Sequence, residues 1–338
     1  MIWNSDKINA TEVKLMLPSF PYSDRGKRYH TFDWEMRQRY GRKVVKLGID
    51  AGFTCPNIDG TCGTGGCTYC AERGGGEFAG SPSLSITEQL DQQRALLSVK
   101  WPDALYLAYF QAHTNTHTSA ARLDSLLREA SAFENVVGLR IATRADCLPE
   151  EILDCLSRWN ERTELVVELG LQTIHDKTAK RINRCHTWVD FQDGYEALRQ
   201  RNIRTCIHLI DGLPGESFGQ MRESAKRVGA LHPYAVKLHL LHILRGTKLA
   251  GEYAHGEFRL LTREEYISII CDQLELLPAE IVIERLTGDG DRRLLIGPEW
   301  SRDKRRVLNG IDLELARRDT FQGARVVPAY KGGGGEEY

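Results

Sequence analysis

The chain has 338 residues, of which 41% are hydrophobic and 27% are charged, and its formal net charge is −1. This composition is typical of a globular enzyme, and a net charge near zero gives no overall indication of a nucleic-acid or membrane-surface partner. No apolar run approaches the roughly 20 residues that a membrane span needs, and the chain begins without the basic and then apolar pattern of a secretion signal. Its nine cysteines, an odd number, argue against a framework of disulfides. We therefore expect a cytoplasmic protein with no membrane association.

Two segments are rich in basic residues despite this balance. Residues 25–46 have eight basic residues against two acidic ones, and residues 292–306 have six against two. Cations bind phosphates, and the aromatic side chains interleaved in the first segment suit unstacked bases, so both segments are candidate RNA-binding surfaces. A solvated amphipathic surface explains the same charges equally well. The basic residues are Arg25, Lys27, Arg28, Arg37, Arg39, Arg42, Lys43 and Lys46 in the first segment and Arg292, Arg293, Arg302, Lys304, Arg305 and Arg306 in the second.

Apolar runs rich in β-branched residues alternate with helical patterns along the chain. The predicted strands are 44–49, 104–110, 136–142, 165–171, 205–210 and 235–243, followed by a short one at 281–284. The predicted helices are 86–99, 120–132, 150–159, 189–200, 218–231 and 263–277. Two of them begin with capping boxes, Ser85 with Glu88 and Thr262 with Glu265.

Six strand and helix units in succession predict an α/β fold in which a parallel sheet curves into a partial (β/α)6 barrel. We expect an N-terminal basic and aromatic extension at 1–40, the barrel at 41–280 and a C-terminal extension at 281–338 with a disordered glycine-rich tail. In such barrels the chemistry collects at the carboxyl ends of the strands.

The loop after the first strand, CPNIDGTCGTGGCTYC, contains the most informative cysteines. Cys55, Cys67 and Cys70 lie on a loop with four glycines, and three thiolates leave one iron of a 4Fe-4S cluster open to another ligand. That ligand is S-adenosylmethionine in radical chemistry. Cys62 lies in the same loop, so a four-thiolate zinc site and a set of unligated thiols remain alternatives. Tyr69, next to Cys70, is a candidate to cover the cluster or the adenine.

Polar residues also follow the other strands at the same predicted edge. Glu168 and His208 lie within strands, where a buried polar group needs a partner, so a polar barrel lumen and a satisfied core are both consistent with them. His113, Asp211 and His242 are candidates for a general acid or base. The polar residues that follow the strands are Gln111, His113, Asn115, Thr143, Arg144, Gln172 and Asp211.

From about residue 28 to 304, the chain resembles the radical S-adenosylmethionine (SAM) superfamily, within it a bacterial group related to the catalytic subunit of the elongator complex. The motifs that carry the resemblance are DAGFTCPN, the cysteine loop, AYFQAHTNT, IATRADCL, ELGLQT, INRCHT, HLIDGLPGE, KLHLLHILRGT and IERLTGDG. The resemblance implies a partial barrel of six strands, a 4Fe-4S cluster and SAM.

The resemblance also implies roles for single residues. Cys55, Cys67 and Cys70 match the cluster ligands, and Gln172 and Arg184 match cofactor contacts. Gln111 stands where a glycine-rich cofactor motif ends, although the glycine pair is absent. The remaining cofactor-binding candidates are Tyr69 and Glu168. Cys185 occupies a position where the family implies glycine.

The group is similar to enzymes of the MnmL type, which trim the carboxymethylaminomethyl group of a transfer RNA (tRNA) wobble uridine to aminomethyl. This implies the anticodon loop of a tRNA as substrate and an electron donor such as flavodoxin or ferredoxin. Two alternatives stay open: a radical enzyme that acts on a small molecule or peptide, and a zinc-stabilised RNA-binding protein without enzymatic activity.

Overall fold

The computed structural model describes residues 20–23, 26–288 and 290–326. Seven parallel strands form one curved sheet in the order β1-β2-β3-β4-β5-β6-β8. The strands are β1 (Val44–Ile49), β2 (Leu105–Phe110), β3 (Val136–Thr143), β4 (Glu164–Gln172), β5 (Arg204–Asp211), β6 (Ala235–Leu240), β7 (Ile243–Leu244), β8 (Val282–Arg285) and β9 (Leu295–Gly297). β7 and β9 form a small antiparallel pair outside the sheet.

Helices connect successive strands and cover the outer face of the sheet. They are α1 (Phe32–Tyr40), α2 (Ile86–Ser98), α3 (Ala120–Ser131), α4 (Glu150–Asn160), α5 (Asp176–Arg181), α6 (Trp188–Gln200), α7 (Phe218–Ala230), α8 (Lys248–Ala254), α9 (Arg263–Leu276) and α10 (Lys304–Arg317). A 3-10 helix covers Glu299–Arg302. The capping boxes at Ser85 and Thr262 are both present, and they start α2 and α9.

The predicted partial barrel is confirmed, with two differences in detail. The sixth strand is shorter than predicted because the chain leaves the sheet after Leu240, and Ile243 and Leu244 pair with β9 instead. The sheet also continues past residue 280, since β8 pairs in parallel with β6. The division into an N-terminal extension, a barrel and a C-terminal extension stays a prediction, and the glycine-rich tail lies outside the described residues.

Helix α1 closes the amino-terminal end of the half-barrel. Phe32 and Met36 pack against side chains from the first half of several strands, including Val44, Leu107 and Val166. The Thr31 hydroxyl accepts a hydrogen bond from the Trp34 amide and so caps the start of the helix. With that end filled by apolar side chains, the lumen is open toward the carboxyl ends of the strands.

The first basic segment is tied to the rest of the chain by ion pairs. Arg28 Nη1 lies 3.1 Å from Asp319 Oδ1, and Lys27 contacts Asp312 of α10. The other pairs of the segment are Arg37 with Asp33, Arg39 with Glu35 and Glu164, Lys43 with Asp33, and Lys46 with Glu168 and Glu284. The charges of these residues therefore fasten this segment to the sheet and to α10, which weakens its interpretation as an RNA surface. Arg25 lies outside the described residues.

In the described part of the chain, no helix combines the length and apolar character that crossing a bilayer requires.

Candidate active site

Cys55, Cys67 and Cys70 line one cavity of about 1030 Å³ at the carboxyl ends of the strands, which we call the main cavity. The loop that carries them, residues 55–70, leaves the end of β1 and is held by its own backbone: the Ile58 amide donates to the Cys55 carbonyl (2.8 Å) and the Cys70 amide donates to the Cys67 carbonyl (3.0 Å). The three thiols that the sequence singled out are therefore brought together in space.

Polar neighbours donate hydrogen bonds to two of these sulfurs. Thr114 Oγ1 donates to Cys55 Sγ (3.1 Å), and Asn57 Nδ2 donates to Cys67 Sγ (3.3 Å). A hydrogen bond from Cys70 lowers the pKa of Cys67 to about 6, with further help from Asn57, although burial opposes the shift. The surroundings of Cys67 thus favour the thiolate, which is the form that binds metal.

The three-cysteine arrangement fits a cluster better than a four-thiolate zinc site, because Cys62 lines a different cavity. Among the described residues, no three histidine, cysteine, aspartate or glutamate side chains surround one point closely enough to bind a single metal ion. A zinc site needs four donors about 2.0–2.3 Å from one centre, whereas the thiolates of a 4Fe-4S cluster each bind a different iron. Cys62 lines a separate cavity, where its sulfur lies 3.8 Å from Arg144 Nη2. This position separates Cys62 from the other three cysteines of the loop.

All five predicted cofactor-binding residues line the main cavity as well: Tyr69, Gln111, Glu168, Gln172 and Arg184. Gln111 Nε2 donates to the Gly75 carbonyl at 2.6 Å. Gln172 ends β4 with a φ of +61°, at a register shift relative to β5. A non-glycine residue in this region is strained, and such strain is common at functional sites. The roles of these side chains toward a cofactor stay predictions.

Arg184 fixes the end of β4 through the backbone. Its guanidinium donates to the carbonyls of Leu171, Thr173 (2.6 Å) and His186 (3.0 and 2.8 Å). The side chain is 1% exposed, and burial lowers its pKa to about 10, so it stays charged near neutral pH. Arg184 therefore positions the strand end that bears Gln172, in addition to lining the cavity.

Cys185 adopts the backbone conformation that glycine favours. Its φ is +65°, in the left-handed region where an L-residue is strained. The backbone conformation that glycine favours is therefore present at this position, although the residue is a cysteine and not the glycine that the family resemblance implies.

The three candidates for a general acid or base do not share one location. His113 and His242 line the main cavity. Asp211 does not, because successive strand residues alternate sides and its neighbour Ile210 faces the cavity instead. Asp211 Oδ1 accepts a hydrogen bond from Gln273 Nε2 of α9 (2.6 Å), and burial raises its pKa to about 8. The sequence-based proposal of Asp211 as an acid or base of this site is therefore corrected.

A belt of charged side chains crosses the lumen below the cysteines, and most of its members were missed. Glu168 Oε1 accepts from Lys46 Nζ (2.8 Å), while Oε2 contacts Lys237 and lies 3.0 Å from His208 Nε2. Burial alone disfavours the carboxylate, but Lys237 and Lys46 hold the pKa of Glu168 well below its usual range. We define the charged belt as Lys46, Arg140, Glu168, His208, Lys237 and Glu284. The signal in the sequence was a charged residue or a histidine within every strand of the sheet except β2.

The second basic segment reaches the opening of the main cavity. Arg292 and Arg293 line it, and the Arg293 side chain is 85% exposed beside Asp291 (2.7 Å). Among the described residues that line the cavity, basic side chains outnumber acidic ones. They are Lys46, Arg144, Arg184, Lys237, Arg285, Arg292 and Arg293 against Glu77, Glu168, Glu284 and Asp291. This excess favours an anionic occupant.

Family models match most of the chain. The model described as the radical SAM superfamily matches residues 58–228, and the model described as the radical SAM C-terminal domain matches residues 233–317. The first match includes Cys67 and Cys70, while Cys55 lies just before it.

Similar proteins include one that matches nearly the whole chain and one that matches about half of it. The uncharacterized protein YtqA of Bacillus subtilis is 45% identical over 304 residues, which are 90% of this chain and 94% of that protein. A tRNA uridine(34) acetyltransferase of Methanocaldococcus infernus is 28% identical over 163 residues, 47% of this chain and 30% of that protein. The structure of an archaeal Elp3 from Methanocaldococcus infernus with an N-terminal deletion superposes with a TM-score of 0.60 at 18% identity, covering 83% of this chain and 64% of that one. The superposition shows a common fold.

Proposed function

Because the chain belongs to the radical SAM superfamily, we propose that it converts carboxymethylaminomethyl-(2-thio)uridine at wobble position 34 of tRNA to aminomethyl-(2-thio)uridine. The observation that carries the proposal is a cavity with three cysteines and an arginine-lined opening, in a chain that is similar to tRNA uridine(34) acetyltransferases.

The cofactors of this enzyme family are a 4Fe-4S cluster and SAM. Cys55, Cys67 and Cys70 are the residues that would hold the cluster, and Tyr69 and Gln172 line the same cavity. When bound, the two cofactors supply a 5'-deoxyadenosyl radical that abstracts a hydrogen atom from the substrate. Asn57 of the loop and Thr114, which follows β2, would help to hold two of these sulfurs as thiolates, since they donate hydrogen bonds to Cys67 and Cys55.

The arm on the proposed uridine suits the chemistry of the cavity. Its C–H bonds next to nitrogen give stabilised radicals, and its carboxylate is an anion that the excess of basic side chains along the cavity favours. The wobble base lies in a single-stranded loop, so it reaches a cavity without melting a duplex. Because tRNA is the proposed substrate, we place the protein in the cytoplasm. Separately, the family resemblance implies an electron donor such as flavodoxin or ferredoxin.

Nucleoside mass spectrometry of tRNA from the source organism, with and without the gene, tests the proposal. We expect carboxymethylaminomethyl-uridine to accumulate and its aminomethyl products to disappear in the deletion strain. A plasmid with the wild-type gene restores the products, and one with Cys67→Ala does not. An unchanged nucleoside profile would overturn the wobble-uridine assignment and direct the search to small molecules and peptides.

A further inference from the structure

Two cysteines that have no part in the main cavity lie next to each other. Cys62 is on the cysteine loop, and Cys185 follows α5 more than a hundred residues later in the chain. Both are exposed, and neither lines the main cavity. Cys185 is one of the groups that raise the pKa of Cys62, so the two thiols are neighbours. The Cys185 thiol donates to Asn183 Oδ1 at 3.4 Å. A Cβ atom built on Gly63, the neighbour of Cys62, would lie only 2.9 Å from Cys185 Sγ.

The two chain segments are already held together by hydrogen bonds. Asn57 Nδ2 donates to the Asn183 carbonyl (2.9 Å), and Asn183 Nδ2 donates to the carbonyl of Gly66 (2.7 Å). The Thr68 amide donates to the Ile182 carbonyl at 3.0 Å. These contacts flank Cys62 on the loop and lie two and three residues before Cys185 on the other segment. The proximity of Cys62 and Cys185 therefore does not depend on one flexible side chain.

The backbone of Cys185 is strained, which is a second observation about this position. Its φ of +65° is unfavourable for an L-residue, and glycine or asparagine would occupy the position with less strain. A cysteine here adds a thiol beside Cys62 at the cost of that strain.

We propose that Cys62 and Cys185 form a reversible disulfide by exchange with a low-molecular-weight disulfide such as glutathione disulfide, and so link the cysteine loop to the segment that carries Arg184. This redox site is separate from the three cysteines of the main cavity and holds whether or not the proposed function is correct.

The exchange takes two steps and needs no other oxidant. The Cys185 thiolate attacks one sulfur of the oxidant and releases one molecule of thiol, which leaves a mixed disulfide on Cys185. The Cys62 thiolate then attacks the Cys185 sulfur and releases the second thiol. Two cysteine thiols are oxidised, one oxidant disulfide is reduced to two thiols, and the two protons leave with them.

The surroundings of Cys62 set this order. Although Cys62 is exposed, partial desolvation of its sulfur raises the pKa of Cys62 to about 11, and the guanidinium of Arg144 opposes the shift. Little Cys62 thiolate therefore exists near neutral pH to meet an oxidant from solution. Once a mixed disulfide forms on Cys185, the attack by Cys62 is intramolecular, and its closeness raises the effective concentration of the reacting sulfur. A thiol of high pKa is also the stronger nucleophile when deprotonated.

Mass spectrometry of the cluster-loaded protein tests the proposal directly. The protein is incubated anaerobically with glutathione disulfide, unfolded in N-ethylmaleimide to block free thiols, and digested with a protease. We expect one cross-linked species that joins the peptides of Cys62 and Cys185, two fewer alkylated cysteines, and full reversal by dithiothreitol. Iron and sulfide contents measured in parallel stay unchanged.

Two single variants give matched controls. In Cys62→Ser, the mixed disulfide between Cys185 and glutathione accumulates because no second thiol resolves it. In Cys185→Ser, Cys62 remains a free thiol. The proposal is overturned if both cysteines of the wild-type protein remain alkylated, if both end as separate glutathione adducts, or if Cys62 links to Cys147, which lines the same second cavity.

Hydrogen exchange then measures what the disulfide does to the loop. The amides of residues 58–66 should exchange at least about threefold more slowly in the oxidised protein than in the reduced protein, because the bond removes openings of the loop. The Cys62→Ser and Cys185→Ser variants should show no difference between the two conditions.

Discussion

Two groups of polar side chains in the half-barrel lumen have different partners. One is the rim, which consists of Cys55, Cys67 and Cys70, and the other is the charged belt. In the charged belt, the carboxylates of Glu168 and Glu284 are matched by lysine and arginine side chains of the same chain. At the rim, three thiols face a cavity, and two of them receive hydrogen bonds that favour the thiolate form. Glu168 and Glu284 line the main cavity just as the thiols do, so a place at the cavity does not by itself mark a ligand site. The difference is that the carboxylates of the belt are neutralised by basic side chains of the same chain, which stabilises the fold.

The largest expected effect is on cluster assembly, and it distinguishes the cysteines of the rim from Cys62 on the same loop. Cys67→Ala should abolish cluster assembly, because it removes one of the three proposed ligands, and Cys62→Ala should leave assembly at the wild-type level. Iron and sulfide analysis after anaerobic reconstitution measures both. Loss of iron in Cys62→Ala would return the four-thiolate zinc site to consideration.

The next effect tests the belt as a structural element. Glu168→Gln keeps the shape of the side chain but leaves Lys46 and Lys237 with less compensating charge in a buried site, which costs about 3–5 kcal/mol of unfolding free energy. Urea unfolding of the apo-protein measures the change. As a control, Glu196→Gln removes an exposed ion pair with Arg199 and should have a much smaller effect. Equal stability of Glu168→Gln and wild type would contradict a structural role for the belt.

A third prediction concerns Asp211, a buried polar group that belongs to neither the rim nor the belt. Because its pKa is raised to about 8 in the folded protein, the folded state holds a proton that the unfolded state loses above about pH 4. The stability that comes from Asp211 is therefore full below pH 4 and is lost as the pH rises to 8.

The variant Asp211→Asn has no proton to lose at this position, so it isolates the effect. The unfolding free energy of wild type relative to Asp211→Asn should fall by about 2 kcal/mol or more between pH 5 and pH 8, because each unit of pKa difference corresponds to about 1.4 kcal/mol. Urea unfolding at the two pH values measures it. A constant difference between the two proteins would show that Asp211 is ionised in the folded state.

The smallest expected effect is on tRNA binding, in which we compare the two basic segments. The double variant Arg292→Ala and Arg293→Ala should weaken tRNA binding by about tenfold at 0.1 M salt. The slope of the logarithm of the binding constant against the logarithm of the salt concentration should fall by about one to two, because fewer counterions are released. Arg37→Ala, whose guanidinium lies 3.0 Å from Asp33, should change binding little. Filter binding over a range of salt concentrations distinguishes them. Stronger loss in Arg37→Ala would return the first segment to the RNA surface.

Local sequence signals were sufficient for the elements and for finding the three cysteines of the rim. The capping boxes at Ser85 and Thr262 act within four residues, and the strands follow from runs of β-branched residues, so both were predictable. Cys55, Cys67 and Cys70 lie within sixteen residues of one another, and a short loop must keep them close. Gln172 and Arg184 were found through the family resemblance, and the structure places both at the same cavity.

Contacts between distant residues decided the rest. The pairing of Lys46 with Glu284 and of Lys27 with Asp312 joins opposite ends of the chain, so the charges of these two lysines looked available in the sequence when they are already paired. The side of the sheet that Asp211 faces depends on the exact strand register, because a step of one residue reverses the direction of the side chain. The separation of Cys62 from the other cysteines, and its place beside Cys185, likewise exist only in the folded chain. Sequence thus pointed to the residues that we propose for the chemistry, and tertiary structure decided which of them meet.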